Sequence, residues 1–208
     1  MDNNSVFWGK KDTSINFCES PYEKSKYIAE YYNTISAIGY VFVGIFFTFT
    51  KIKNIGLTLI SLGIGTSILH GTQRYYGQIL DELSMLVLSF LIIEHLKFKQ
   101  NKTVSYIFLY ASIGLYLASY DVFSIFFILF SCYQIYICFL IKQILNNDKN
   151  ISNIKILLTN SYIITLLISF MFWIIDQNTC DISFIQLHAL WHVGTAISIF
   201  LGLLFLVI

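Results

Sequence analysis

Long apolar runs separated by short polar breaks are the feature that most restricts what this sequence can fold into. Seven such runs cover approximately residues 31–49, 55–70, 78–93, 104–118, 122–141, 156–175 and 182–208. A helix needs ~20 residues to cross the ~30 Å hydrocarbon core of a bilayer, and these runs approach or reach that length. Backbone inside lipid must satisfy its own hydrogen bonds, which favours helices. We therefore predict an all-α, polytopic membrane protein built as a seven-transmembrane helix bundle.

The composition excludes a water-soluble domain of this size. Of the 208 residues, 56% are hydrophobic and 12% are charged, and the mean hydropathy is +0.68. Outside the seven runs there is no room for a second folded domain. We predict a single membrane domain over residues 1–208, with residues 1–30 as an N-terminal segment outside the spans. The composition predicts neither a nucleic-acid partner nor an obligate protein partner.

Basic residues are unevenly distributed between the two sides that seven alternating spans define. The side of the N-terminus has five of the 13 Lys and Arg residues, and the opposite side has eight. Because cytosolic loops are enriched in Lys and Arg, this bias places the N-terminus on the non-cytosolic side. We expect a multi-pass protein of the endoplasmic reticulum or Golgi membrane, with a lumenal N-terminus.

Two of the four cysteines lie on this non-cytosolic side. Cys18 is in the N-terminal segment, and Cys180 is between the sixth and seventh predicted spans. Because disulfides persist outside the cytosol, a Cys18–Cys180 bridge is one hypothesis. Two unpaired thiols are the alternative, since pairing cannot be deduced from sequence. Cys132 and Cys138 lie inside the fifth span and are interpreted as packing residues.

Ionisable residues inside a membrane span are costly, so each one is a functional candidate. His70 ends the second predicted span, Asp81 lies near the start of the third, and His188 and His192 lie near the start of the seventh. With alternating spans, these positions are on the same side of the membrane. Three histidines and an aspartate can therefore meet at one end of the bundle, whereas His95 lies at the opposite end of the third span.

The i, i+4 spacing of His188 and His192 places both on one helix face. With His70 they would provide three nitrogen ligands of a tetrahedral zinc site with one position left for water, whose pKa zinc lowers to about 7. Asp81 would support the ligands or act as general base and acid, and Thr66 would donate to a developing oxyanion. The alternative is a set of ordinary interfacial or core histidines, which an isolated i, i+4 pair more often indicates.

Four further residues near these positions have simpler interpretations. Glu82 and Asp176 lie near the same predicted face and are interpreted as solvated acids at loop edges. Gly63 and Gly65, within "SLGIGTS", are interpreted as small residues that allow close helix approach.

Four separated blocks of the sequence resemble the alkaline ceramidase family. They are "FWGKKDTSINFCE" at 7–19, "YIAEYYNTIS" at 27–36, "GIGTSILHGTQRYYGQILDELSM" at 63–85 and "QLHALWH" at 186–192. Their order matches the family and they extend from the N-terminus to the last span. The family consists of seven-span zinc amidohydrolases, within a superfamily that also includes progestin/adiponectin-type receptors and Per1-like proteins.

The resemblance implies zinc-dependent hydrolysis of the amide bond of ceramide, which yields a sphingoid base and a fatty acid. It implies His70, His188 and His192 as the zinc ligands and Asp81 as the acid beside the reacting water. Thr66 stands where the family usually has serine, so the hydroxyl is kept and a methyl is added. The lipid substrate would enter from the bilayer.

The resemblance also implies a calcium site near the N-terminus. The matching positions are Asn16, Phe17 through its backbone carbonyl, Glu19, Pro21 and Glu30. Asparagine replaces a usual aspartate at the first position, and proline replaces a usual asparagine at the fourth. Because calcium favours several hard oxygen ligands, ideally carboxylates, the loss of one charge predicts weak calcium binding. A cap held by packing and by Cys18 is the alternative.

Three functions are compatible with these patterns. The first is the zinc amidase that acts on ceramide. The second is a zinc-containing receptor or lipid sensor of the same superfamily without turnover, and the third is a metal-free transporter or structural membrane protein. Zinc content separates the third function from the first two, and turnover separates the first from the second.

Overall fold

Helices form wherever the sequence presents a long apolar run, because backbone in lipid has no water to bond with. The computed structural model describes residues 7–97, 102–119, 121–147, 151–180 and 185–208, which contain helices and no strand. The helices are α1 (Tyr31–Ser36), α2 (Ile38–Thr48), α3 (Lys53–Thr72), α4 (Tyr75–Leu96), α5 (Lys102–Ala118), α6 (Phe123–Asn147), α7 (Asn153–Asn178) and α8 (Leu187–Val207).

The order of helices follows the predicted order of spans, with α1 and α2 together forming the first. Within the described ranges, five segments are long and apolar enough to cross a membrane: Tyr31–Thr48, Lys53–Thr72, Phe123–Asn147, Asn153–Asn178 and Leu187–Val207. Helix α4 has 22 residues but includes acids in its first half, and α5 has only 17 residues. The predicted fold class is confirmed: the chain is a polytopic bundle of membrane helices.

Helix ends differ from the predicted span ends because hydropathy marks only the apolar part of a helix. The predicted third span, 78–93, corresponds to a helix over 75–96, and the fifth, 122–141, to one over 123–147. Polar residues continue these helices into the interfacial region of a bilayer. The predicted start of the seventh span at residue 182 lies outside the described residues, and α8 begins at Leu187.

Helices α3 and α4 pack with very close backbones. A Cβ atom at Gly65 would lie 2.7 Å from the backbone nitrogen of Asp81, and one at Gly77 would lie 2.6 Å from that of Leu69. Only glycine fits such an approach, as the sequence predicted for Gly65. The close contact fixes the end of α3 against the start of α4.

The N-terminal segment folds over the end of the bundle where α3 meets α4. The backbone N–H groups of Ala29 and Glu30 donate to the carbonyls of Gly71 and His70, each at 2.9 Å. Arg74 adds a 2.8 Å ion pair to Asp12. These bonds satisfy carbonyls that the end of a helix leaves without partners.

A disulfide joins this segment to the far end of the chain. Cys18 is bonded to Cys180, across a sequence separation of 162 residues, with Cα atoms 5.0 Å apart. Cys132 and Cys138 on α6 are free thiols. The bridge holds the N-terminal segment beside the connection between α7 and α8.

Gly65→Ala is expected to destabilise the detergent-solubilised protein, because the new Cβ must separate α3 from the Asp81 backbone. Overpacking of this kind typically costs about 1–3 kcal/mol, so the Tm measured by intrinsic fluorescence should fall. Gly114→Ala is the matched control, since a Cβ there meets no atom within 4 Å. Equal Tm values for the two variants would contradict the close α3–α4 contact.

Candidate metal centre and its cavity

Three buried histidines meet at one end of the bundle. His70 lies in the last turn of α3, and His188 and His192 lie in the first two turns of α8. Their side-chain ligand atoms all lie within 4.8 Å of one another, and each residue is at most 4% exposed. The structure thus brings together the three histidines that were predicted from the sequence to meet. His95 lies in the last turn of α4, at the opposite end of that helix.

Hydrogen bonds orient two of the three imidazoles. His70 Nδ1 lies 2.5 Å from Glu30 Oε2, and a carboxylate can only accept. His192 Nδ1 lies 2.8 Å from Ser36 Oγ, whose own proton is donated to the Asn33 carbonyl. Both Nδ1 atoms are therefore the protonated nitrogens. Their Nε2 atoms retain the lone pairs that a metal ion requires.

The third imidazole has a looser environment. His188 Nδ1 lies 3.9 Å from Asp176 Oδ2, too far for a hydrogen bond, and both atoms are buried without a partner in the described part of the chain. Buried polar atoms without partners are unusual in folded proteins. The ring of Phe17 covers the site, with centroids 4.3 Å from His188 and 4.5 Å from His70.

These features fit a zinc ion. Three buried imidazoles from two helices, two of them with free Nε2 atoms, are the donor set of many catalytic zinc sites. The carboxylate of Glu30 behind His70 is the usual outer partner of a zinc-bound histidine. Sequence reasoning missed Glu30, Ser36 and Asn33 in these roles, because contacts between the N-terminal segment, α1 and α8 have no short-range signal.

Asp81 and Thr66 lie beside the histidines, as the sequence predicted. The Thr66 hydroxyl contacts Asp81 Oδ1 directly and also lies 2.8 Å from the Leu62 carbonyl. Both residues line the cavity that contains the three histidines. In this arrangement the Thr66 hydroxyl positions the Asp81 carboxylate, and its donation to a developing oxyanion stays a prediction.

A cavity of roughly 1220 Å³, including its open mouth, extends from this cluster into the bundle. Polar residues line one end of it: Thr66, His70, Asp81, His188, His192 and Thr195. Aromatic side chains of α6 and α7 line a wall: Phe123, Phe126, Phe127, Phe130, Phe170 and Trp173. The cavity therefore combines a polar, histidine-rich end with an apolar body, as in sites that bind amphipathic ligands.

The interpretation of Glu82 and Asp176 as solvated acids is wrong, since they are only 3% and 5% exposed. Glu82 accepts hydrogen bonds from the Tyr116 hydroxyl at 2.6 Å and from Gln78 Nε2 at 3.1 Å. Gln78 also bonds Ser14 of the N-terminal segment. Position near a helix end predicted exposure, but the N-terminal segment and α5 cover Glu82.

Three of the five residues matching a calcium site accept hydrogen bonds from protein donors. Asn16 Oδ1 accepts from Lys11 Nζ at 2.6 Å, and Glu19 accepts from the backbone N–H groups of Tyr32 and Asn33 at 2.7 and 2.9 Å. Glu30 bonds His70, Gln73 and Asn33, at 2.5, 2.7 and 3.1 Å. Phe17 packs its ring on the histidines, and Pro21 lies in an exposed turn. The carboxylates keep free lone pairs, but Asn16 Oδ1 is bonded to an ammonium and Pro21 has no side-chain oxygen. Two of the five positions therefore do not fit a calcium ion.

Comparison with known proteins gives matches over nearly the whole chain. The sequence profile of the family described as Ceramidase matches residues 9–208. The protein dcd3A of Dictyostelium discoideum is 26% identical over 256 residues, which cover 98% of this chain and 88% of that protein. Alkaline ceramidase 3 of Mus musculus is 26% identical over 238 residues, which cover 96% and 84%. Alkaline ceramidase of Arabidopsis thaliana is 25% identical over 214 residues, which cover 92% and 82%.

The matched region contains the complete site. Residues 9–208 include the histidine cluster, Asp81, Thr66 and the disulfide between Cys18 and Cys180. On the strength of a family match over this length, the chain belongs to the ceramidase family.

Proposed function

We propose that this protein hydrolyses the amide bond of ceramide, within the membrane, with a zinc ion held by His70, His188 and His192. The observation that most supports this is the position of three buried imidazoles at the polar end of an otherwise apolar cavity. Ceramide has the same division: an amide and hydroxyl head with two hydrocarbon chains. The mouse and Arabidopsis relatives are named alkaline ceramidases.

Zinc bound by three imidazoles supplies Lewis acidity toward a carbonyl and lowers the pKa of a water molecule. The protein's own residues hold the ligands and move the protons. Glu30 and Ser36 fix the Nδ1–H tautomers of His70 and His192, so that both Nε2 atoms keep the lone pairs that a metal ion requires. This arrangement is set before substrate binds, which reduces the reorganisation needed during reaction.

Asp81 is the residue proposed to transfer protons. Its carboxylate lies beside the histidines and can accept the proton that the attacking water loses as the new C–O bond forms. When the C–N bond breaks, the same carboxyl returns the proton to the departing amine. Thr66 holds the carboxylate in position through its direct contact with Oδ1. The products are a fatty acid and a sphingoid base.

The substrate is proposed to enter laterally from the bilayer. The apolar lining of the cavity comes from α3, α4, α6, α7 and α8. The outward faces of α6 and α7 expose large apolar side chains such as Ile135 and Leu167, at 71% and 60%, to the hydrocarbon of the bilayer. A lipid chain that passes between these helices would stay in apolar surroundings from the bilayer to the cavity.

The site is proposed to face the lumen of the endoplasmic reticulum or Golgi. The greater number of Lys and Arg residues on the opposite side supports this orientation. The Cys18–Cys180 disulfide lies on the same side as the histidines and supports it independently, since disulfides persist outside the cytosol.

His70→Gln and His192→Gln are each expected to abolish zinc binding and ceramide hydrolysis, because each removes one of three nitrogen ligands. The measurements are zinc content by inductively coupled plasma mass spectrometry and sphingoid-base release from ceramide by the purified protein. His95→Gln is the matched control and should retain both, since His95 lies at the other end of α4.

Two outcomes would contradict the proposal in different ways. Zinc binding without turnover on ceramides of several acyl lengths would contradict the amidase and favour a zinc-containing sensor. Hydrolysis that persists after His70→Gln and His192→Gln would contradict the assignment of the metal ligands.

Asp81→Asn and Glu82→Gln are expected to separate chemistry from stability. Asp81→Asn removes the proton acceptor, so kcat should fall by about 10²–10⁴ while zinc content is kept. Glu82→Gln disturbs a buried bond to Tyr116, so Tm should fall while most activity remains in the folded fraction. Similar losses of kcat in both variants would contradict the distinct role of Asp81.

Glu30→Gln is expected to weaken zinc binding, because an amide supports the Nδ1–H of His70 less well than a carboxylate does. Changes to such outer partners typically reduce metal affinity by about 10–100-fold. Competition with a zinc chelator measures the change. Glu23→Gln, at an exposed glutamate paired with Lys24, is the control and should have wild-type affinity.

A further inference from the structure

Lys11 has an unusual position for a lysine near the start of a chain. Its Nζ donates to Asn16 Oδ1 at 2.6 Å, and the residue is half-buried against the N-terminal segment. Partial burial lowers the pKa of Lys11, and attraction to the Glu30 carboxylate opposes that shift. The ammonium therefore lies within the electrostatic field of Glu30, one of the two buried carboxylates of the segment, Glu19 and Glu30.

Each oxygen of those carboxylates accepts at least one hydrogen bond from a protein donor. Glu19 receives one backbone N–H on each oxygen, from Tyr32 and from Asn33. Glu30 receives Gln73 on one oxygen, and His70 together with Asn33 on the other. Glu19 and Glu30 are 7% and 0% exposed, so these bonds provide most of what stabilises their charge.

A calcium ion would compete with this network. Calcium takes six to eight oxygens at about 2.3–2.6 Å, and Asn16 Oδ1, one of the matching oxygens, is bonded to the Lys11 ammonium. Asn33 Oδ1 is a buried oxygen without a partner in the described residues, and one neutral oxygen does not replace the missing ligands. An ammonium bonded to a matching oxygen would also repel a divalent ion there.

We propose that the Lys11 ammonium takes the place of calcium at the N-terminal segment of this chain, so that the segment is held over the histidine cluster without a second metal ion. The exchange keeps the net charge, because an aspartate with Ca²⁺ and an asparagine with an ammonium have the same sum. Asparagine stands at position 16, where the resemblance leads us to expect aspartate, and its Oδ1 accepts a hydrogen bond from Lys11. Glu30 then supports His70 whatever the calcium concentration. The inference does not depend on ceramide hydrolysis.

Calcium binding to the wild-type protein is the first test. Purified full-length protein is stripped with EGTA, and radioactive calcium binding and Tm are measured with and without calcium on the order of 1 mM, the upper part of the range of extracellular sites. We expect no stoichiometric binding and no shift in Tm. A 1:1 complex, or a Tm that rises with calcium, would overturn the proposal, because a ligand of the native state must stabilise it.

The variants Lys11→Met and Lys10→Met form a matched pair for the second test. Lys11→Met keeps the length of the side chain and removes the ammonium, so Tm should fall. Lys10→Met also removes one positive charge, but Lys10 is exposed, and the bond that it makes to Arg74 uses its backbone carbonyl. Its Tm should match wild type, and equal Tm values for Lys11→Met and Lys10→Met would overturn the role of Lys11.

A double variant tests whether the site can be converted. Lys11→Met combined with Asn16→Asp removes the ammonium and restores a carboxylate, so we expect calcium to raise the Tm of the double variant and of neither wild type nor Lys10→Met. Calcium binding is measured directly and not through turnover. A double variant whose Tm does not rise with calcium would therefore leave the amidase proposal unaffected. Absence of ceramide turnover, with the expected response of Tm to calcium, would reject only the amidase proposal.

Discussion

The bond between Glu30 and His70 is the interaction on which the rest of the site depends. It joins the N-terminal segment to the end of α3, over a sequence separation of 40 residues and with both side chains almost fully buried. A buried carboxylate requires donors, and Gln73 and Asn33 complete its set. The segment therefore contributes directly to the electrostatics of the histidine cluster, and removal of either partner would leave a buried polar group unsatisfied.

Burial of so many polar groups becomes possible because they are hydrogen-bonded to one another. His192 is bonded through Ser36 and Asn33 of α1, and Asn33 also bonds both Glu19 and Glu30. On the other side of the cavity, Glu82 binds Gln78 and Tyr116, and Gln78 reaches Ser14. Two polar networks thus connect the N-terminal segment to the bundle. One includes α1, α3 and α8, and the other includes α4 and α5. Groups bonded in this way can remain in an apolar bundle that would exclude them individually.

The sequence predicted the helices and the convergence of the histidines, because both follow from local properties. Apolar runs mark the spans, and alternation of spans places His70, His188 and His192 on one side. Helix ends were missed because polar residues continue a helix beyond its apolar part. The burial of Glu82 and Asp176, and the partners of the Nδ1 atoms, depend on contacts between residues distant in sequence. One chain without aligned relatives contains no signal for such contacts.

The disulfide and the histidine cluster both join the two ends of the chain. Cys18 is paired with Cys180, and His70 on α3 meets His188 and His192 on the last helix. A chain that emerges from the ribosome N-terminus first makes its early helices long before α8 exists. The complete cluster can therefore form only after synthesis of α8. The proposed zinc site is therefore assembled in a single late step, and partly synthesised molecules have the N-terminal cap and only one of its three imidazoles.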